Sequence, residues 1–467
     1  MKKYLFQIPK SRTELSDRIN TIRKSVPIMS AFWVIFSSGS CQSIRMIGNI
    51  VTTSLLMPEY FGIMAIAHTV MIGIGQLSDV GLREGVVNSK RIDDPRFMET
   101  AWTLQIVRAL FIGIGGALIA FPVANFYEEP TLLPVMIMIG FSYLIHGFKT
   151  IAVLRYDKNL DLKSQMLFDI GLTFVASSIT IVWASISPTI WAFVGASILT
   201  NIIDVIASYI IFKGHHSKLC WDRKAVHDLF HFGKWIFLSS AISFIAVQGD
   251  KLIMGVWLTM TQLGQYAIAS NWSAIILMVS YPLSTRVLMP LFRQKIEVSA
   301  TDFSDIHRTR LRLNMLFALA CVGLAIIGDI IVKFLYDSRY HEAGWMLQVL
   351  MIGQLGRICT STLRPFLTAN GDSKSQMKTS MISTVILIIL LVGGNYLAGP
   401  AGLIIGFSLS GIAMHPIMIW YAHKHNYYCF RADMGIIVSA AGISFIAWWA
   451  IDSEAFLTLK SIFDSII

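Results

Sequence analysis

The stretch GDKLIMGVWL, Gly249 to Leu258, decides how this chain folds. Before it, Trp235 to Ala246 reads WIFLSSAISFIA, and the chain turns apolar again from Leu252. Asp250 and Lys251 therefore stand side by side within what reads as a membrane span. A charge at the centre of such a helix costs about 2.5–3.5 kcal/mol on insertion scales, so the helix needs a polar face turned away from lipid.

The surrounding composition supports a membrane setting. Of 467 residues, 55% are hydrophobic and 14% charged, with a mean hydropathy of +0.62; soluble domains carry roughly 25% charged residues. A spanning helix needs about 20 mostly apolar residues. Such runs fall at 26–56, 59–80, 98–122, 131–153, 166–186, 188–212, 235–258, 262–289, 313–335, 342–362, 379–398, 400–422 and 433–451. They are too long, and lack the alternation, for barrel strands. The terminal EAFLTLKSIFDSII, with Lys460 and Asp464, leaves a fourteenth span open or forms an interfacial helix. The first run lacks a small-residue cleavage site and is read as an uncleaved span.

Basic residues set the topology. Arg83, Lys90, Arg91 and Arg96 follow the second span; Arg155, Lys158 and Lys163 follow the fourth; Lys213, Lys218, Arg223 and Lys224 follow the sixth. Arg293, Lys295, Arg308, Arg310 and Arg312 follow the eighth, and Lys374 and Lys378 the tenth. The opposite connections are short and nearly free of Lys and Arg. By the positive-inside rule the N-terminus is cytoplasmic. The net charge of +10 thus reports topology, not nucleic-acid binding. The five cysteines, Cys41, Cys220, Cys321, Cys359 and Cys429, show neither metal-ligand spacing nor a disulfide framework.

An internal repeat relates the halves. FWVIFSSGS (Phe32 to Ser40) aligns with KWIFLSSAI (Lys234 to Ile242), and PEYFGIMAIA (Pro58 to Ala67) aligns without a gap with MTQLGQYAIA (Met260 to Ala269). Gly62 then falls on Gly264, Gly48 on Asp250 and Asn49 on Lys251. Six spans separate the copies, so both enter the membrane from the same side, an arrangement transporters use with the substrate path between halves.

Arg45, Arg108, His146, Lys149, Asp169, Asp204, Asp250, Lys251, Arg286, Asp329, Arg357 and His415 lie inside spans. Lys149, Arg286 and Asp204 sit where snorkelling to the interface is an equal alternative. His146 and His415 are read as packed, hydrogen-bonded histidines rather than a proton relay. Arg45, with Gln42, Ser43 and Asn49, forms a polar stripe deep in the first span. Either Asp250 merely neutralises Arg45, or both helices line a hydrated, net-positive cavity where Lys251 and Arg357 would attract phosphate. Gln248 and Asp250 would support Lys251 or couple an ion. The pairs Gly73/Gly75 and Gly402/Gly406 are read as helix packing. There is no G-x-x-x-x-G-K-[ST] phosphate loop, so ATP hydrolysis by that route is excluded.

Four segments carry a resemblance. LLMPEYFGIMAIAHTVMIGIGQLSDVGLREGVV (Leu55 to Val87), FHFGKWIFLSSAISFIAVQGDKLIMGVWLTMTQLGQYAIA (Phe230 to Ala269), YPLSTRVLMPLFRQ (Tyr281 to Gln294) and LRPFLTANGDSKSQMK (Leu363 to Lys378) resemble, in order, bacterial polysaccharide and oligosaccharide-lipid flippases. That family belongs to the multidrug/oligosaccharidyl-lipid/polysaccharide exporter superfamily. The resemblance implies an all-α polytopic fold of two parallel six-helix lobes around a central cavity, with one or two extra C-terminal helices. The parts would be a basic cytoplasmic segment 1–25, an N-lobe 26–212, a linker 213–234, a C-lobe 235–423 and the extra helices in 424–467.

It further implies that the protein flips a polyprenyl-pyrophosphate-linked oligosaccharide across the bacterial inner membrane by alternating access, for exopolysaccharide, capsule or O-antigen assembly. It would do so without a cofactor, as a secondary-type transporter rather than an enzyme, beside a polysaccharide polymerase and chain-length proteins. Arg45, Lys251, Arg286 and Arg357 take the role of cavity cations that meet the pyrophosphate. Alternatives are a drug/cation antiporter, which predicts an acidic cavity, or a cell-wall lipid precursor flippase. A membrane glycan polymerase would require a large outer loop, which the short outer connections do not offer.

Overall fold

The computed structural model describes residues 33, 36–79, 81–89, 91–158, 162–212, 218–297, 302–424, 427 and 430–451. The described chain is helical, without strands. The helices are α1 (36–55), α2 (Pro58–Leu77), α3 (Leu82–Asn88), α4 (Pro95–Phe126), α5 (Leu132–His146), α6 (Val153–Lys158) and α7 (Leu162–Ile186). They continue as α8 (Trp191–Ile211), α9 (Arg223–Trp257), α10 (Met260–Glu297), α11 (Ser304–Leu335), α12 (Ala343–Ala369), α13 (Ser373–Lys424) and α14 (Phe430–Ile451). The long α13 holds two spans, since Ala398 and Gly399 leave helical geometry between them. Gly399 takes φ +56° and ψ −140° there, a conformation only glycine adopts readily. Counted so, α1, α2, α4, α5, α7 to α12, the two legs of α13, and α14 correspond to the thirteen apolar runs. The tail after Ile451, and with it the question of a fourteenth span, lies outside the described residues. This is a multi-pass membrane protein.

Several helix boundaries differ from the sequence reading, and two of the shifts have local causes. The fourth run ends early, at His146, because Gln105 Nε2 on α4 donates to the carbonyls of Gly147 and Lys149 (2.9 Å each). Main-chain acceptors satisfied from another helix need no further helical turn. Conversely, α9 begins at Arg223, inside the stretch expected as linker. Asp222 caps it by accepting from the Lys224 amide at 3.0 Å.

The repeat is visible as geometry. At one end of the bundle, here the Pro58 end, α2 and α10 cross so closely that each offers a glycine to the other's first residue. A Cβ on Gly62 would collide with the Met260 carbonyl, and one on Gly264 with the Pro58 carbonyl. In the ungapped register Gly62 matches Gly264 and Pro58 matches Met260, so the crossing relates the copies as a two-fold axis would. Glycine at such crossings lets backbones approach where lipid supplies no hydrophobic drive between helices. Ile63, Ile66, Ala67 and Met71 of α2 and Leu263, Ile268 and Ala269 of α10 form one buried cluster around it.

Reciprocal hydrogen bonds flank the crossing. Tyr127, ending α4, donates to the Leu252 carbonyl of α9 (3.0 Å). Tyr340, between α11 and α12, donates to the Leu56 carbonyl after α1 (2.9 Å). Arg339 adds bonds from Nη2 to the carbonyls of Ser54 (3.1 Å) and Thr53 (3.4 Å). These carbonyls belong to the last turn of α1, which has no further amides to satisfy them and carries the negative end of the helix dipole.

At the opposite, basic end, the segment before α9 is tied to α4. The amides of Cys220 and Asp222 donate to Thr103 and Thr100 hydroxyls (3.1 Å each), and Arg91 pairs with Asp94 (2.9 Å) and Asp222 (3.0 Å). Ala225 of α9 is buried with Leu82, Val86, Ile92 and Phe97. Thus α9 starts against the first half, whereas Met254 and Leu258 at its far end join the central cluster.

Several charges inside spans find partners. Lys149 reaches Asp204 at 2.8 Å, so this pair neutralises within the bundle. Arg108 donates to Gly75 O (2.9 Å) and lies 3.5 Å from Asp79, capping the end of α2. Lys333 pairs with Asp329 at 2.7 Å. Arg310, counted from the sequence as a loop charge, stands instead two turns inside α11 and is wholly buried against Asp433. The other basic residues of that connection leave the charge asymmetry intact.

A candidate anion cavity in the second half

A cavity of about 560 Å³ opens between α9, α10, α12 and α13. Its walls repeat one pattern. Arg357, Thr360, Ser361 and Arg364 line it from α12, spaced i, i+3, i+4 and i+7, which is one helix face. Phe407, Ser410, Gly411 and Met414 repeat that spacing on the second leg of α13, facing Ser380, Ser383 and Leu387 on the first. Leu277, Met278 and Tyr281 of α10, with Val247 of α9, form the apolar side.

Arg357 is held in place. Its guanidinium lies 3.9 Å from the centre of the Phe407 ring, and Nη2 donates to Phe407 O (3.0 Å) and Ser410 Oγ (3.4 Å). Gly411 makes room, since a Cβ there would lie 3.0 Å from Arg357 Cγ. A guanidinium offers five N–H donors, and these two bonds occupy only one nitrogen. Fixed by stacking, Arg357 presents the remainder at the cavity wall without the entropy cost of a free side chain. Arg364 lies two turns nearer the basic end and is exposed. Two guanidiniums, five serine and threonine hydroxyls and a largely apolar wall make a site for a polyanion carrying neutral polar groups and a hydrocarbon.

Among the other expected site residues, Asp250 is buried and accepts from the Tyr266 hydroxyl at 2.5 Å. Its partner is therefore Tyr266, whereas Arg45, exposed on α1, turns Nε to Cys41 O (3.3 Å) on its own helix. Lys251 and Gln248 are half-buried and bonded to each other, Nζ to Oε1, at 3.3 Å. Gln42 and Asn49 are half-buried on α1, and Arg286 is exposed on α10. Of the four expected cations, only Arg357 lies on the wall of this cavity; Arg45, Lys251 and Arg286 are not among its lining residues.

Three residues escaped the sequence reading. Arg364 lies just past the apolar run 342–362, yet α12 runs on to Ala369; its seven-residue spacing from Arg357 is the available signal. Arg310 and Asp433 lie 123 positions apart, so no local pattern could join them. Arg310 and His415 both bond Asp433, the latter from Nε2 at 3.1 Å, while His415 Nδ1 meets Thr360 Oγ1 at 3.3 Å. Thr360 belongs to the cavity wall, so this cluster adjoins the cavity. Cys359, His415 and Asp433 bring sulfur, nitrogen and oxygen within 4.8 Å of one another. The Arg310 guanidinium already neutralises that carboxylate, making the group an ion-pair cluster rather than a cation cage.

Known proteins are similar to this chain in sequence or in fold. The chain is 20% identical over 392 residues to the lipopolysaccharide biosynthesis protein WzxC of Escherichia coli (strain K12), covering 82% of this chain and 78% of that protein. It is 17% identical over 352 residues to the succinoglycan biosynthesis transport protein ExoT of Rhizobium meliloti (strain 1021), covering 75% and 71%. Among solved structures, lipid II flippase MurJ in an inward closed conformation superposes with a TM-score of 0.66 at 14% identity, over 94% of this chain and 96% of that one. The family profile described as polysaccharide biosynthesis protein matches residues 51–344. The chain belongs to that polysaccharide biosynthesis protein family.

Proposed function

We infer that this protein is a flippase of the bacterial inner membrane that moves a polyprenyl-pyrophosphate-linked oligosaccharide by alternating access, as a transporter and not an enzyme. The observation that carries the reading is the stacked, pre-oriented Arg357 with Arg364 on one wall of a hydroxyl-rich cavity. Guanidiniums suit a diphosphate, hydroxyls suit sugars, and the apolar α10 side suits the start of a lipid chain. A drug/cation antiporter would want carboxylates on the wall, where the described lining residues include none.

With the N-terminus cytoplasmic, the Pro58 end faces outward and is held shut by the Gly62/Gly264 crossing and the Arg339 bonds. The head group enters from the cytoplasm, meets Arg364 first and settles at Arg357, while its lipid stays in the bilayer. The halves, approximately 26–212 and 235–423, then rock about the crossing. Arg45, Lys251 and Arg286 line the path that forms between them, supported by Gln42, Asn49, Gln248 and Asp250. Surface polysaccharide would follow with the aid of a polymerase and chain-length proteins.

The test is gene deletion in the host, with lipid-linked oligosaccharide measured on each leaflet. Repeat units trapped on the cytoplasmic leaflet, and released by wild-type protein but not by Arg357→Ala, are expected. Normal surface polysaccharide without a trapped intermediate, in a host lacking other flippases, would overturn the function.

A further inference from the structure

The buried cluster behind the cavity does more than hold α14. Asp433 accepts from Arg310 Nη1 and Nη2, from Asn314 Nδ2 (3.4 Å) and from His415 Nε2 (3.1 Å). Asn314 is itself fixed by Thr362, whose hydroxyl donates to its Oδ1 at 2.8 Å. Arg310, His415 and Asp433 are each fully buried. With Arg310 cancelling Asp433, the neutral His415 donates from Nε2, leaving Nδ1 to accept from Thr360. Thr360 is the one residue of this network that lines the cavity, and it lies on the same α12 face as Arg357 and Arg364.

A hydroxyl can donate or accept. Protonation of His415 at Nδ1 therefore orphans nothing: the Thr360 hydroxyl turns about and accepts instead, while Nε2 keeps its bond to Asp433. The site can hold the ring in either state with its hydrogen bonds complete, which a merely packed histidine does not require. The charge changes. Protonation takes the cluster from neutral to a net single positive charge, one helix face from the two cavity guanidiniums.

We propose that His415 is a proton-binding site linked to the anion cavity through Thr360, so that proton binding and binding of a diphosphate anion reinforce each other. The inference rests on the anion-binding reading of the cavity. Linkage is reciprocal: if a proton on His415 tightens the anion, the anion tightens the proton by the same factor. Around His415 and its Asp433 partner stand Arg310 from α11 and Cys359 from α12, with His307 of α11 and Tyr427 packed beside that ion pair. Among them, only the two histidines carry an ordinary ionisation in the neutral range, so variants of each separate their contributions.

The experiment measures binding of a short-chain prenyl-diphospho-sugar to the purified full-length protein in nanodiscs at about pH 6 and about pH 8. This diester keeps its charge between those values. Wild-type protein is expected to bind several-fold more tightly at the lower pH. His415→Gln is expected to bind at both values as wild type does at the higher one, whereas His307→Gln keeps the wild-type slope. Should His415→Gln fail to fold, Thr360→Val serves, because it denies protonated Nδ1 its acceptor and flattens the slope. A flat wild-type profile, or an undiminished slope in both His415→Gln and Thr360→Val, overturns the proposal while leaving the anion cavity standing. Absence of wild-type binding at both values overturns the cavity reading and this inference together.

Discussion

Gly62 and Gly264 hold the same place in the two halves, and each lies against the carbonyl that opens the other's helix, Met260 for the first and Pro58 for the second. A methyl group at either position meets main chain, which cannot swing aside as a side chain does. Gly62→Ala and Gly264→Ala should each lower stability by roughly 1–3 kcal/mol, the usual cost of overpacking. Because one separation of α2 from α10 relieves both clashes, the double variant should lose less than the sum. Thermal midpoints of the purified variants check this, and wild-type midpoints for both would show that the helices do not cross so closely.

Arg339 fastens one half to the other through the Thr53 and Ser54 carbonyls. It is partly exposed and paired with Asp337 at 2.7 Å, so water discounts the bonds to roughly 1 kcal/mol in sum. Arg339→Ala should raise the fraction open at the Pro58 end by about fivefold. A cysteine at Met278 on the cavity wall, in an otherwise cysteine-free background, reports this. An impermeant thiol reagent added from that side should label it several times faster in the variant; equal rates would mean that the latch does not hold the end closed.

Much of this arrangement is legible in the chain. Apolar runs locate the spans because a bilayer demands a fixed length of satisfied backbone; the Gly62/Gly264 match marks a repeat, but that the two helices cross at those glycines is learned from the fold. Lys251 beside Asp250 signals a polar face, yet neither its depth nor its partner follows from spacing. The partner of Asp250 proves to be Tyr266, sixteen positions on in the next helix. Arg310 shows the reverse failure. Its charge suggests a hydrated loop, but a buried carboxylate from α14 neutralises it, and a partner so distant in sequence leaves no periodic trace. Arg364 was hidden because a helix end near a Gly-Asp turn reads as connection.

Arg357 and Arg364 should separate in their effects. Arg357→Ala removes a stacked, oriented guanidinium and should lower export by roughly ten-fold or more, the worth of a charge-assisted hydrogen bond in a sheltered site. Arg357→Lys should rescue it only partly, since an ammonium cannot stack flat on Phe407 while donating along an edge. Arg364→Ala should cost less and act mainly on the rate of loading. Surface polysaccharide in the deletion host, measured against matched protein levels, checks the order. Equal loss from both alanine variants, or full rescue by lysine, would contradict the division of labour.

Asp250 Oδ2 takes the Tyr266 hydroxyl, while its Oδ1 is buried without a hydrogen-bond partner among the described residues. Tyr266→Phe strips away the one side-chain donor and leaves a buried carboxylate unsupported, at a cost of about 1–3 kcal/mol. Asp250→Asn removes the charge but keeps an oxygen for Tyr266, so its thermal midpoint should stay closer to wild type. If Asp250→Asn is the more damaging of the two, the carboxylate charge itself is stabilising, through its Coulombic attraction to the Arg357 guanidinium.

The tie at the basic end should respond to acid. Hydrogen bonding from Arg91 holds the Asp94 and Asp222 carboxyls below the usual carboxylate range, and those carboxylates raise the Arg91 guanidinium in turn. A carboxyl depressed by folding contributes stability that is present above its unfolded value, about 3.9 for aspartate, and is lost as the pH falls through the lower folded value. The tie should therefore persist through mildly acidic conditions and release only in strong acid. The Asp222 amide, bonded to Thr100, reports it by hydrogen exchange corrected for the intrinsic rate. Its protection should stay level down to about pH 5 and fall below about pH 4. In Arg91→Ala protection should be low throughout. Protection lost already near neutrality would mean that neither carboxyl is held down by Arg91, and that packing at Ala225 and the Cys220–Thr103 bond anchor α9 to the first half.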